Sequence, residues 1–363
     1  MIKMFLIKDL KPGMIVAKDV YTIVDELVVA RNTTLTARGI TRLEAYDLKE
    51  IPIRIDETSV QEVSEEEEKV SSYTASEKMK QSESFQKFYK AFDESVRVSE
   101  KVIDDIVLRD GGINENLINT MVDRVADVSN NGIFIFDMLH CMRELDDLTY
   151  AHSMSVALIC KVFGEWLRMS KEDIRVLKIA GFCHDVGKVK IPKEIICKKG
   201  KLTQAEYEIV KKHAEFGYDI LRRKEVDERV IMSALMHHEK CDGSGYPNKL
   251  KGSQIDEFAK IVAIADAYEA MTASRCYREA LCPFTVIEEF EVNALKHYEP
   301  KYILPLMEMI VQSYIGNHVE LNNGVVGEVI MINRNNLSRP VVKTKTEYID
   351  LSKDKSVRIK SVI

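Results

Sequence analysis

Long apolar runs are missing from this chain. No segment approaches the ~20 consecutive apolar residues that a bilayer crossing requires, and the apolar stretch at the N-terminus is too short for a signal peptide. The seven cysteines are odd in number, scattered and without a C-x-x-C pair, which leaves neither a disulfide framework nor a zinc ribbon indicated. Basic charge is not in excess either. A net charge of −6 argues against a binder of nucleic-acid polymers, while leaving room for a local cationic pocket that holds phosphates. Together these absences predict a cytoplasmic, reduced protein. A composition 45% hydrophobic and 30% charged, over 363 residues, is ordinary for a chain with a substantial core and two or three units.

The pattern along the chain changes four times. Residues 1–60 read as a small α+β unit: Lys11-Pro12-Gly13 marks a turn, and Met14–Ala17 and Leu27–Ala30 look like strands. Thr36 caps an expected helix running to about Leu48, and residues 51–55 alternate like an edge strand. Residues 61–112 hold a solvated linker, Ser64 followed by Glu65 to Glu68 and a polar run, and then an amphipathic helix. Its apolar stripe is Phe85, Phe88, Tyr89, Phe92, Val96, Ile103 and Ile106. That stripe either packs against the next domain or pairs with a second copy as a homodimer seam; Gly111-Gly112 ends it before a long coiled coil can form. Residues 113–316 are helical almost throughout. Residues 317–363 turn to strand, with a turn at Asn322-Asn323-Gly324 and β-rich segments at 325–332 and 357–360.

The chemistry lies in the helical stretch. His152, His184-Asp185, His213, His237-His238 and Asp266 recur roughly 24–32 residues apart, about one helix and a connection each. Neighbouring helices of a bundle can therefore bring them together. Mixed imidazole and carboxylate donors suit Fe, Mn, Ni or Zn better than Mg or Ca. A carboxylate can bridge two ions, which makes Asp185 the bridging candidate. Asp266 ends the apolar run Ile261 to Ala265, so burying it demands a cation or a donor. Lys188 offers a cation for a phosphate oxygen, and Gly187 is read as letting backbone approach substrate. This donor set suggests hydrolysis by a metal-activated water, with two ions stabilising the attacking and leaving oxygens. His140, His297 and His318 fall outside the series and read as ordinary core or surface residues.

Five motifs in order carry a resemblance to the HD-GYP domain, a branch of the HD phosphohydrolase superfamily. Thr149-Tyr150-Ala151-His152-Ser153 resembles its opening histidine motif, and His184 to Lys188 its H-D-x-G-K. Lys198 to Thr203 followed by His213 resembles the middle segment. His237 to Pro247 fills every named position of H-H-E-x-x-D-G-x-G-Y-P, and Asp266 with Thr272 to Arg278 resembles the closing motif. The resemblance spans roughly residues 140–316. It implies an all-α HD-type helical bundle, flanked here by the small α+β N-terminal unit and the short β-rich C-terminal tail. It also implies a phosphodiesterase that hydrolyses cyclic di-GMP to linear pGpG, and often on to GMP.

By position the resemblance makes His184, Asp185, His213, His237, His238 and Asp266 metal ligands, joined by His152. Lys188, Arg275 and Arg278 would hold substrate phosphates, and Tyr246 would support the site or face substrate. Two divalent transition-metal ions are expected, Fe or Mn foremost, with Ni and Zn also accommodated. Where some members place a glutamate for a third ion, this chain has Leu148, which cannot ligate. Glu269 and Glu299 stand where aspartate is frequent. Two other readings stay open: a cyclic di-GMP receptor with little turnover, and a phosphodiesterase for another cyclic dinucleotide.

Overall fold

The computed structural model describes residues 2–11, 13–21, 27–29, 33, 35, 40, 43, 50–54, 80, 82–108, 112–128, 135–142, 148–198, 200–273 and 281–363. The chain is helix-rich, with separate small sheets, and divides into two compact units, 1–78 with 314–363, and 79–313.

In the first unit, β1 (Ile2–Leu6), β5 (Glu50–Arg54) and β2 (Ile15–Val16) form an antiparallel sheet in the order β1-β5-β2, and β3 (Val20–Tyr21) pairs with β4 (Leu27–Val29). Ile7, Leu10, Val16, Leu35, Leu43, Ile51 and Ile53 make its small core. Within the segment read as an edge strand, the described residues 51–54 belong to β5, which is instead central. Pro52 has no N–H to give, but its carbonyl accepts from Ala17 N (2.8 Å), and β2 ends at Val16, so the missing donor leaves little unpaired. Of the helix expected from Thr36 to Leu48, all but Ile40 and Leu43 lies outside the described residues, as does the acidic linker. A five-stranded sheet runs β10-β6-β7-β8-β9 from β6 (His318–Leu321), β7 (Val326–Met331), β8 (Val341–Lys343), β9 (Tyr348–Asp350) and β10 (Ile359–Val362), all antiparallel.

The second unit is helical. Its elements are α1 (Glu83–Leu108), α2 (Glu115–Asp127), α3 (Ile135–Cys141), α4 (Leu148–Trp166), α5 (Lys171–Cys183), α6 (Lys193–Ile196), α7 (Gln204–Lys211), α8 (His213–Leu221), α9 (Glu228–Met236), α10 (Glu257–Thr272), α11 (Pro283–Asn293) and α12 (Pro300–Ser313). Side chains fix several starts. Ser170 accepts from Asp173 N ahead of α5, Asp227 from Arg229 N ahead of α9, and Asp256 from Phe258 N and Ala259 N ahead of α10. α10 is buried almost continuously from Phe258 to Asp266, so it is the central helix, with α4, α5 and α9 packed around it.

α1 resolves one open choice. Phe85, Phe88, Phe92, Val96, Ile103 and Ile106 are all buried, and the helix packs on α2 and α4 of its own chain. The stripe is occupied within the unit and is not free as a dimer seam; Tyr89 alone of that set is exposed. Among the described residues, no helix is long and apolar enough to cross a membrane.

Candidate metal centre

The sites where helices stop build this centre. His184 caps the C-terminus of α5, and Asp185 opens the tight turn Val186–Lys190. His213 begins α8, His237 ends α9, and His238 follows it. His152 and Asp266 come instead from within α4 and α10. Helix ends suit the task, because backbone carbonyls there lack intrahelical partners. Nδ1 of His184 donates to Gly181 O (2.7 Å), that of His213 to Val210 O (2.7 Å), and that of His237 to Ser233 O and Ala234 O (both 3.0 Å). Each bond spends the Nδ1 proton and leaves Nε2 as the lone-pair donor.

Those Nε2 atoms converge on Asp185 from two sides. Facing Oδ2 are His152 Nε2 at 3.3 Å and His184 Nε2 at 3.4 Å, with Asp266 Oδ1 3.1 Å from His152 Nε2. Facing Oδ1 are His213 Nε2 at 3.2 Å and His237 Nε2 at 3.7 Å, and His238 belongs to the same group of donors. In each group two imidazole nitrogens stand 3.2 Å apart, His152 with His184 and His213 with His237. Lone pairs at that spacing repel unless a shared proton or a cation joins them. Asp185 Oδ1 is moreover buried without a hydrogen-bond donor. A buried carboxylate oxygen left in that state is costly, and a cation is the remedy that fits an all-acceptor surrounding. The residues present therefore suit two divalent transition-metal ions sharing Asp185.

Protonation states favour ligation on the Oδ1 side. Burial pushes His213 down to about 3 and His238 well below the usual imidazole range, so both are neutral donors. Burial likewise lowers His184. For Asp185 burial acts upward, but the Lys188 ammonium and the surrounding imidazoles outweigh it and hold the carboxyl well below its ordinary range. His152 goes the other way: burial opposes its proton, yet Glu269, Asp185 and Asp266 together hold it. A cation entering beside His152 must displace that proton.

Several motif positions serve the architecture. A Cβ on Gly187 would lie 2.0 Å from His213 O and 2.4 Å from Gly217 N. Gly187 thus lets the start of α8 press against the turn and bring His213 onto Asp185, rather than admitting substrate. Gly245 is as tightly placed, its Cβ position 2.4 Å from Lys240 N and 2.6 Å from His238 O. Glu239 is buried, and its carboxylate accepts from Asn248 N (2.6 Å) and Leu250 N (2.9 Å), clamping the loop that follows the paired histidines. On that loop Tyr246 stacks on His238, centroids 4.7 Å apart and planes 27° apart. Lys188 Nζ sits on Asp185 Oδ2, at the centre of the cluster.

The structure brings His152, His184, Asp185, Lys188, His213, His237, His238, Tyr246 and Asp266 together. Arg275 and Arg278 lie outside the described residues. Two contributors escaped the sequence reading. Glu269, one turn after Asp266, pairs with His152 Nδ1 and completes a carboxylate–histidine arrangement; its i+3 spacing from Asp266 was the available signal. Glu239 was visible inside H-H-E, but only its burial reveals a loop clamp. His297 and His318 stay outside the cluster, His297 near Asp242 (3.5 Å) and His318 on β6.

Residues 139–302 match the HD domain family. A 3'3'-cGAMP-specific phosphodiesterase of Vibrio cholerae is 33% identical over 61% of this chain and 42% of its own. A cyclic di-GMP phosphodiesterase of Pseudomonas aeruginosa is 31% identical over 56% of this chain and 49% of its own, and one of Thermotoga maritima 32% identical over 48% and 50%. The chain spans about half the length, or less, of the curated relatives it matches. Among solved structures, an HDG"Y"P protein from Bdellovibrio bacteriovorus covers 85% of this chain and 99% of its own at a TM-score of 0.51 and 14% identity, a likeness of fold alone. The matched segment, residues 139–302, is thus similar to the HD domain family, and the relatives that share it are named as phosphodiesterases of cyclic dinucleotides.

Proposed function

We propose that this chain is a metal-dependent phosphodiesterase that hydrolyses cyclic di-GMP to the linear dinucleotide pGpG. The observation that carries the reading is Asp185, buried with one carboxylate oxygen toward each of two groups of imidazole nitrogens. His152, His184, Asp185 and Asp266 would hold one ion, and Asp185, His213, His237 and His238 the other. Ions so held supply Lewis acidity, acidifying a water and neutralising charge on the phosphodiester.

The chain's own residues do the rest. Glu269 and the four backbone carbonyls fix the ring orientations, so little reorganisation is left to occur during reaction. Lys188 places an ammonium beside Asp185, where a phosphate oxygen would approach, and Arg275 and Arg278 are assigned to the phosphates from their motif positions. Tyr246 braces His238 and walls that side of the centre. The reading keeps HD-type bundle 113–316 as the reacting unit, preceded by the small α+β unit 1–60 and the linker and helix 61–112, and followed by the tail 317–363. Since its substrate is a bacterial second messenger, the reading also puts the chain in the cytoplasm.

Relatives named as cyclic di-GMP phosphodiesterases support the substrate class, and the 33% identical relative named for 3'3'-cGAMP favours a second reading, a hybrid cyclic dinucleotide. Turnover of both dinucleotides by anaerobically purified protein, with bound metal quantified in the same sample, tests the two. Linear product from cyclic di-GMP with about two metals per chain is expected. A marked preference for 3'3'-cGAMP would transfer the assignment, and metal bound without product from either would sink both.

A further inference from the structure

α7 has an unusual surface for a short helix beside a buried metal centre. None of its residues is buried, yet it is firmly fixed. Thr203 and Glu206 form a capping box at its start, Lys198 Nζ ties Glu206 to the preceding loop at 2.6 Å, and its C-terminus runs through Lys212 into His213. A rigid helix of this kind that leaves Tyr207 44% and Ile209 37% exposed is presenting apolar surface, not covering a core.

Tyr207 and Lys211 are four residues apart and share one face. Lys211 Nζ stands 5.5 Å from the Tyr207 ring centroid and 5.8 Å from that of Tyr246, and Glu208 holds the same ammonium at 2.7 Å. Tyr246 in turn stacks on His238. An unbroken series therefore leads from the metal ligands outward: His238, the Tyr246 ring, the Lys211 ammonium, and the Tyr207 ring facing solvent. Beyond the Tyr246 ring the order of chemistries is that of a nucleotide, a charge first and a flat π-face after it.

The geometry points to Tyr207 as a base-stacking residue, a wall stiffened by Lys211 against which a purine of the substrate lies while its phosphate is at the Asp185 centre. This deepens the proposed phosphodiesterase reading and rests on it. Fixing the base sets KM and the choice of substrate, and leaves the reacting bond to the residues around Asp185. An exposed ring can be removed without cost to the core, so the fold survives the test.

The experiment measures cyclic di-GMP hydrolysis by the full metal-loaded chain, wild type against Tyr207→Ala and Tyr207→Phe. Methyl 4-nitrophenyl phosphate serves in parallel as a diester without a base. Stacking predicts that Tyr207→Ala raises KM for cyclic di-GMP roughly ten-fold with kcat little changed, the scale of one lost base–aromatic contact. It also predicts that Tyr207→Phe restores KM and that the simple diester is turned over equally by all three. An unchanged KM in Tyr207→Ala, or an equal loss on both substrates, would overturn the inference while leaving the phosphodiesterase reading intact. If the wild type binds cyclic di-GMP without turnover, the same comparison is read in Kd, and the functional reading falls separately. If it neither binds nor cleaves any cyclic dinucleotide, both fall.

Discussion

Gly187→Ala isolates the joint on which the centre depends. The added methyl would sit 2.0 Å from His213 O and 2.4 Å from Gly217 N, against an ordinary contact of 3.4–4 Å. Both obstacles are backbone, so neither can rotate aside, and the turn and the start of α8 must part by more than an ångström. Overpacking of this kind costs about 1–3 kcal/mol, and a backbone obstacle puts it toward the upper end. The functional loss is larger, because His213 Nε2 lies only 3.2 Å from Asp185 Oδ1 and ligand distances tolerate about 0.2 Å. Thermal unfolding and metal quantification on one preparation read both effects. The variant should be destabilised and lose the ion of the Oδ1 side while the His152 and His184 side keeps its own. Gly217→Ala is the control across the same contact: its Cβ would meet Ala234 Cβ at 3.4 Å, an ordinary distance, and alanine is the better helix former by about 1 kcal/mol. Full stability and full metal content in Gly187→Ala would refute the reasoning.

Other consequences follow from single contacts. Glu239→Ala strands the N–H groups of Asn248 and Leu250 and should cost roughly 2–4 kcal/mol in urea denaturation, while Glu239→Gln should cost less because it still offers an acceptor. Glu269→Gln removes the charge that orients His152 and should weaken metal binding by about 10–100-fold in a metal titration, with secondary structure unchanged by circular dichroism. Glu257 is opposed by burial yet brought down to about 2 by Lys260, Tyr302 and Lys301, so its contribution to stability is complete above its ordinary pKa and fades as pH falls from there toward 2. Glu257→Gln should flatten that part of the stability–pH curve; a curve that superimposes on wild type would remove the assigned cause.

Most of the site was legible because its chemistry is written in residue types that have few other reasons to recur together. His152, His184, Asp185, His213, His237, His238 and Asp266 announce themselves by spacing, and the structure gathers all seven. What the pattern could not convey was distance between segments remote in sequence. Glu269 meets His152 across 117 positions, and its i+3 spacing from Asp266 puts it on the same helix face without naming that partner. Gly187 was legible as a required glycine but not in its reason, since the crowding comes from α8. The stripe on α1 was equally clear as apolar, and only the packing on α2 and α4 shows which partner it takes. Strand 50–54 was misread as an edge because Pro52 usually marks one, whereas here the neighbouring strand is too short to need the missing N–H.

The central claim is that Asp185 is shared by two histidine groups, and metal stoichiometry of Asp185→Ala measures it directly. The wild-type chain, purified anaerobically, should carry about two transition-metal ions, as expected of a two-metal site. Loss of both ions from Asp185→Ala, with the helical circular dichroism signal retained, is the result the account predicts. A variant that keeps two ions would contradict it, because no bridging carboxylate would then be needed.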